Sequence, residues 1–175
     1  MKKSIILQQT IVPILTLLLA ASPASAESLA PKEHSFRVEL PGAPRHKEQS
    51  RSIGIGTVTS ENFIVQNSAS TYFVSVITIP GFASTFTPDS ILFGQTRDGM
   101  LDDVKGTQIS FEDFEVDGHE GKLLVYEMSP PDKPKQMGKA EFFRMGKKMY
   151  LFASHGILKD APERDAFFQS VQLTD

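Results

Sequence analysis

Residues 113–121 read DFEVDGHEG, and the reading of that stretch decides the architecture. As a calcium loop it would set Asp113, Glu115 and Asp117 as oxygen ligands ahead of Gly118, with a helix on either side. As a hairpin it would join two strands through a tight turn at Asp117-Gly118. The calcium pattern also requires a glutamate six residues after the glycine, and that position is Leu124. The hairpin needs only alternation: Phe114 and Val116 point inward, and the three acids point out together. Ile109 and Phe111 have the other parity, so a bulge is expected near Glu112-Asp113. The residues support the hairpin. Asp113, Glu115, Asp117 and His119 remain candidate ligands for a cation at its surface.

Outward from this hairpin, four strand-like runs follow one another at 107–116, 121–128, 138–145 and 148–154. Gly146-Lys147 between the last two suits a type II′ turn. That register sets Arg144 opposite Met149 and Met145 opposite Lys148. The two methionines then face opposite sides, as gap fillers rather than a thioether copper pair. Upstream, SFRVELPG (35–42) alternates Phe36, Val38 and Leu40 and stops at Pro41-Gly42. APRHKEQSR (43–51) is charged and reads as a loop. GTVTSENFIVQ (56–66) and STYFVSVITIP (70–80) read as an antiparallel pair. The second is apolar on both parities, as a central strand covered on both faces would be.

TPDS (87–90) marks a helix start, with Thr87 as cap, Pro88 at the first position and Asp89 at the positive end. Phe93, Met100, Leu101 and Val104 make its apolar stripe. Gly94 and Gly99 weaken it by roughly 1 kcal/mol each, and are read as letting it lie close on a sheet. DAPERDAFFQSVQL (160–173) holds a second helix with Phe167, Phe168 and Val171 buried. The expected fold class is α+β: a single antiparallel sheet with helices on both faces, an α/β/α sandwich.

The N-terminus has Lys2 and Lys3, an apolar run strongest from Ile11 to Ala21, and Ala24 and Ala26 spaced as a cleavage site. Residues 1–26 therefore read as a signal peptide, too short in its uninterrupted part to span a bilayer. Its removal leaves 149 of 175 residues and, with Lys2 and Lys3 gone, moves the net charge from −3 to −5. Residues 27–34 read as a flexible lead-in and 35–175 as a single domain, large enough to bury roughly 70% of its extended surface. There is no cysteine, so neither a disulfide nor lipid attachment at the cleavage site is available. The acidic balance argues against nucleic-acid binding. Nothing after residue 26 suggests a membrane span.

No motif for bond-breaking chemistry stands out. His34, His46, His119 and His155 lack metal-ligand spacing, although His119 and His155 both lie near strand ends. Ser154 and His155 are neighbours on a strand and so point to opposite faces. GIGTV is a lone G-x-G. SPPDKPKQMGK (129–139) is a stiff Pro-rich connection carrying three lysines. Across 132–148 the basic residues are Lys133, Lys135, Lys139, Arg144, Lys147 and Lys148, against two acids. These six are the candidate partner-binding residues, for an acidic partner or an anionic lipid surface. The same charges also suit a strand edge protected from aggregation.

FRVELPGAP (36–44), the pairing of DGHEGKLLVYE (117–127) with FFRMGKKMYLFASHG (142–156), and the terminal FFQSVQL (167–173) resemble PsbP-like domains over about residues 35–174. The resemblance implies a fold and an accessory or binding role, and it carries no catalytic residue. The expectation is an exported, periplasmic or extracellular, monomeric, non-catalytic protein of the bacterial envelope, without cofactor, presenting a surface to a protein partner. The alternatives are a protein binding calcium, manganese, zinc or copper, and an enzyme of unrecognised type.

Overall fold

The computed structural model describes residues 26–53, 56–131, 134–157 and 161–174. The leader read at 1–26 thus falls outside them except for Ala26, and Lys133 also falls outside. The strands are β1 (Glu27–Leu29), β2 (Phe36–Leu40), β3 (Arg45–Ile53), β4 (Gly56–Gln66), β5 (Ser70–Thr78), β6 (Gly106–Val116), β7 (His119–Met128), β8 (Gln136–Met145), β9 (Lys148–Gly156) and β10 (Gln172–Leu173). The helices are α1 (Gly81–Phe86), α2 (Asp89–Val104) and α3 (Pro162–Gln169).

Seven strands form one sheet in the order β3-β4-β5-β9-β8-β7-β6, and β1-β2-β10 form a second, three-stranded sheet. All pairings are antiparallel. The large sheet is thus two meanders, β3-β4-β5 and β6-β7-β8-β9, joined where β5 lies against β9. The α1–α2 segment crosses between them. β5 is central, and its two parities serve two cores. Tyr72, Val74 and Val76 face one, and Phe73 and Ile77 face the other.

The architecture is therefore mostly β, with two sheets, and is not a single-sheet α/β/α sandwich. α1 and α2 cover one face, where Leu92, Phe93 and Met100 pack on Leu124, Phe142 and Leu151. The opposite face is covered by α3 together with the small sheet. There Phe36, Val38, Leu40, Phe167 and Phe168 pack on Tyr72, Phe143 and Phe152. β2 alternates buried and exposed residues as expected, but its apolar side lies across the large sheet instead of within it. Alternation states that one face of a strand is buried; it does not state in which sheet. Within the stretch read as a lead-in, Glu27–Leu29 pairs with β2 as β1.

Four local expectations change. Residues 45–53, read as loop, form β3, the outer strand of the sheet, whose described residues are exposed from Arg45 to Ser52. An edge strand needs no apolar side, and charge there discourages further pairing. The register shift in β6 lies between Gln108 and Ser110, leaving Ile109 exposed, and not at Glu112-Asp113. No bulge is needed there, because Phe111 packs into one core and Phe114 into the other. Thr87 does not cap α2; Pro88 holds that position, and the Thr87 N–H donates to the Ala83 carbonyl at the end of α1. A side chain at Gly94 or Gly99 would meet nothing within 4 Å, so neither glycine serves close packing.

The turns follow their sequence. Asp117 and Gly118 both have positive φ, 52° and 79°, as a type I′ turn needs. Gly146 has φ 59° while Lys147 does not, consistent with type II′. The register sets Arg144 against Met149 and Met145 against Lys148. Met149 joins the α2-side core and Met145 packs on the other.

Candidate functional site

The strand directions gather functional side chains at two opposite ends of the large sheet. One end carries the β6–β7 and β8–β9 turns, the start of α2 and all of α1. The other carries the turn at 67–69 and the Pro-rich connection before β8.

At the first end an open concavity of about 490 Å³ lies between the start of α2 and the β6–β7 turn. Its lining includes Asp89, Phe93, Asp113, His119, Lys122 and Arg144. These charges are matched locally. Lys122 is ion-paired with Asp113, its cross-strand neighbour. The Arg144 guanidinium donates to the Asp89 carboxylate and to the Ser84 carbonyl, clamping α1 and α2 to β8. The four candidate metal ligands are divided. Asp113 turns to Lys122, while an Asp117 carboxylate oxygen accepts from the Leu173 N–H at 3.2 Å and so ties the turn to β10. Glu115 stands opposite Glu120 across the strand pair, and His119 opposite Val116. Among the described residues no group of three or more His, Asp or Glu side chains is arranged to hold a metal.

The five described basic residues do not form one patch. Lys135, at the Pro-rich end, pairs with Glu127, and Lys133 lies outside the described residues. Lys139, mid-strand, points under α3. Its Nζ lies 2.8 Å from Glu141 Oε1 and 4.3 Å from the centre of the Phe168 ring. Arg144, Lys147 and Lys148 are at the opposite end of β8. There the Lys148 ammonium donates to the Glu33 carbonyl at 2.6 Å and to His34 Nδ1 at 3.0 Å.

Glu141 is 1% exposed, and burial raises its carboxyl above the ordinary carboxylate range, with the Lys139 ammonium opposing that shift. Its Oε2 and the Ser154 Oγ lack hydrogen-bond partners among the described residues. His155 is on the other face, its Nδ1 3.2 Å from the Tyr126 hydroxyl; burial, then the Arg164 charge, lower its pKa. Ser154 and His155 thus point apart, as neighbours on a strand must. His119 and His155 sit at opposite ends of the sheet.

Sequence reasoning missed one junction. His34 Nε2 is 3.2 Å and His46 Nε2 3.7 Å from the two oxygens of Glu61. On the other side of the His34 ring, the Lys148 ammonium donates to Nδ1. The group pins the start of β2 to β4. No spacing in the sequence signals it, because the segment before β2 reaches β4 across two sheets.

At the second end a smaller concavity of about 210 Å³ is lined by residues 66–71, Pro134, Gln136 and Ile157. Ile157 is 47% exposed there.

Two meanders joined at β5/β9, with helices on one face and a small sheet plus a helix on the other, have a counterpart among solved structures. The fold is PsbP-like. The solution structure of cyanobacterial PsbP (CyanoP) from Synechocystis sp. PCC 6803 superposes with a TM-score of 0.54 at 14% identity, covering 88% of this chain and 95% of that one. The crystal structure of PA94, a protein of unknown function from Pseudomonas aeruginosa, matches with a TM-score of 0.41 at 11% identity, over 82% and 91% of the two chains. No family model matches the sequence, and no curated protein does.

Proposed function

We propose that this chain is an exported, non-catalytic accessory protein of a bacterial envelope whose Pro-rich end presents a surface to a protein partner. The observation that carries the reading is the PsbP-like fold over 88% of the chain, joined to how its side chains are used. Both sheet faces are filled by packing, and Ser154 and His155, which adjoin in sequence, are held on opposite faces. The signal-peptide pattern at 1–26 supports export. At the Pro-rich end the connection supplies Pro134 and Gln136 to a concavity that also holds the exposed Ile157. An exposed isoleucine in a concavity lined mostly by polar residues, next to a stretch of sequence that carries Lys133 and Lys135, suits an acidic partner.

The test is a photo-crosslinking residue placed at position 68, in the turn that lines this concavity, in living cells. A discrete adduct is expected, lost when Lys133→Glu and Lys135→Glu are combined and retained with Lys147→Glu. An adduct unchanged by the first pair removes this surface. N-terminal sequencing of the processed protein should begin at Glu27; a retained leader refutes export by this route.

A further inference from the structure

The end of the sheet opposite the Pro-rich connection carries an apolar feature that the partner reading leaves unused. Phe82 and Phe86 sit at i and i+4 on α1 and are 65% and 70% exposed, their ring centres 4.8 Å apart. Ile91, in the first turn of α2, is 48% exposed. These are three of the five large exposed hydrophobics among the described residues, within one span of ten. They line neither concavity. The rings stand out from a helix whose other side is tied to the protein. Ala83 and Ser84 are buried, and the Arg144 guanidinium holds the Ser84 carbonyl.

The chemistry around the rings is selective. Residues 79–96, IPGFASTFTPDSILFGQT, contain one charged side chain, Asp89, and Arg144 neutralises it. Over the whole chain 22% of residues are charged, so an 18-residue run with one neutralised charge loses little by desolvation. Beside the first turn of α1, the exposed Lys147 brings its ammonium within 3.6 Å of where a Gly81 side chain would begin. Lys147 thus adds a cation at the rim of an uncharged aromatic knob. That pairing of apolar insertion with a rim cation matches an anionic lipid surface.

We propose that α1 docks on an anionic phospholipid bilayer, Phe82, Phe86 and Ile91 entering the interface and Lys147 meeting headgroup phosphates. The protein then lies on the membrane by this end, leaving the Pro-rich end free. The docking does not depend on the partner reading, and its failure leaves that reading intact.

The chain has no tryptophan, so one introduced at α1 is the sole indole reporter. The full-length Phe86→Trp protein is titrated with phosphatidylethanolamine–phosphatidylglycerol vesicles, with and without brominated acyl chains. Emission should move to shorter wavelength and be quenched by bromolipid. Adding Lys147→Ala should raise the lipid needed for half-maximal quenching about fivefold, the factor for one cation beside an anionic surface. The full-length Ile157→Trp protein, with its reporter at the opposite end, should remain unquenched. Residues 1–26 are the same in both reporter proteins, so the contrast between positions 86 and 157 reads which end meets the bilayer. Absent quenching at 86, or equal quenching at 86 and 157, overturns the proposal. A shift that grows with protein concentration without vesicles also overturns it, because the knob then docks on a second copy.

Discussion

Gly138 tests whether the α2-side core is packed as described. It lies in β8 opposite Tyr126 of β7, and Tyr126 is wholly buried. A Cβ at 138 would fall 2.1, 2.4 and 2.5 Å from three carbons of the Tyr126 ring. Carbon atoms in favourable contact are roughly 3.5–4.0 Å apart, so Gly138→Ala demands a ring displacement of more than about 1 Å. The ring has little freedom to give it, being fully enclosed with its hydroxyl 3.2 Å from His155 Nδ1. The expected loss is about 3 kcal/mol, the upper end of overpacking costs. That lowers the melting temperature by about 6–12 °C for a chain of this size. Urea denaturation followed by circular dichroism measures it. Gly94→Ala is the matched control: its new methyl meets nothing within 4 Å, so it should stabilise by about 0.5–1 kcal/mol. A double cycle with Tyr126→Ala should recover at least about 1 kcal/mol of the Gly138→Ala loss. If Gly138→Ala lies within about 0.5 kcal/mol of the parent, or the cycle is additive, the packing argument fails.

Three further outcomes follow from other sites. Burial raises the Glu141 carboxyl above its ordinary value of 4.5, so the folded state binds that proton more tightly than the unfolded chain. Stability from this group is therefore greatest below the unfolded value and falls as pH rises through the folded one. The advantage of Glu141→Gln over the parent should grow across that window in pH-dependent urea melts; a constant difference refutes it. Arg144→Ala should cost about 1–2 kcal/mol, mainly through the Ser84 carbonyl because Asp89 is largely exposed. It should also speed amide exchange across α1, and unchanged exchange there counts against the clamp. Asp117 combines a left-handed backbone with an acceptor for the Leu173 N–H. Asp117→Ala should cost about 2 kcal/mol in chemical denaturation and Asp117→Asn about 0.5 kcal/mol or less. Equal losses for the two would remove the distinction.

The candidate sites were less legible than the strands. The six basic residues of 132–148 are close in sequence, yet the five described ones are spread to opposite ends of the sheet by the length of β8, and Lys139 turns inward to Glu141. The aromatic knob escaped notice because α1 is six residues long, too short for a periodic stripe. The His34–Glu61–His46 junction depends on the segment before β2 meeting β3 and β4 of the other sheet, which no element's own pattern encodes.

By itself the sequence determined the local grammar. Alternating side chains, Asp117-Gly118 and Gly146-Lys147 specified the β6–β9 meander and its register, and two-sided apolarity made β5 central. These are near-neighbour effects, set by backbone sterics and a period of two. Only the tertiary structure decided that β2 leaves the large sheet to cover it, that charged residues 45–53 form an edge strand, and which polar groups meet. Those outcomes depend on which surfaces remain to be buried once the meanders have formed, and that is a property of the whole chain's packing.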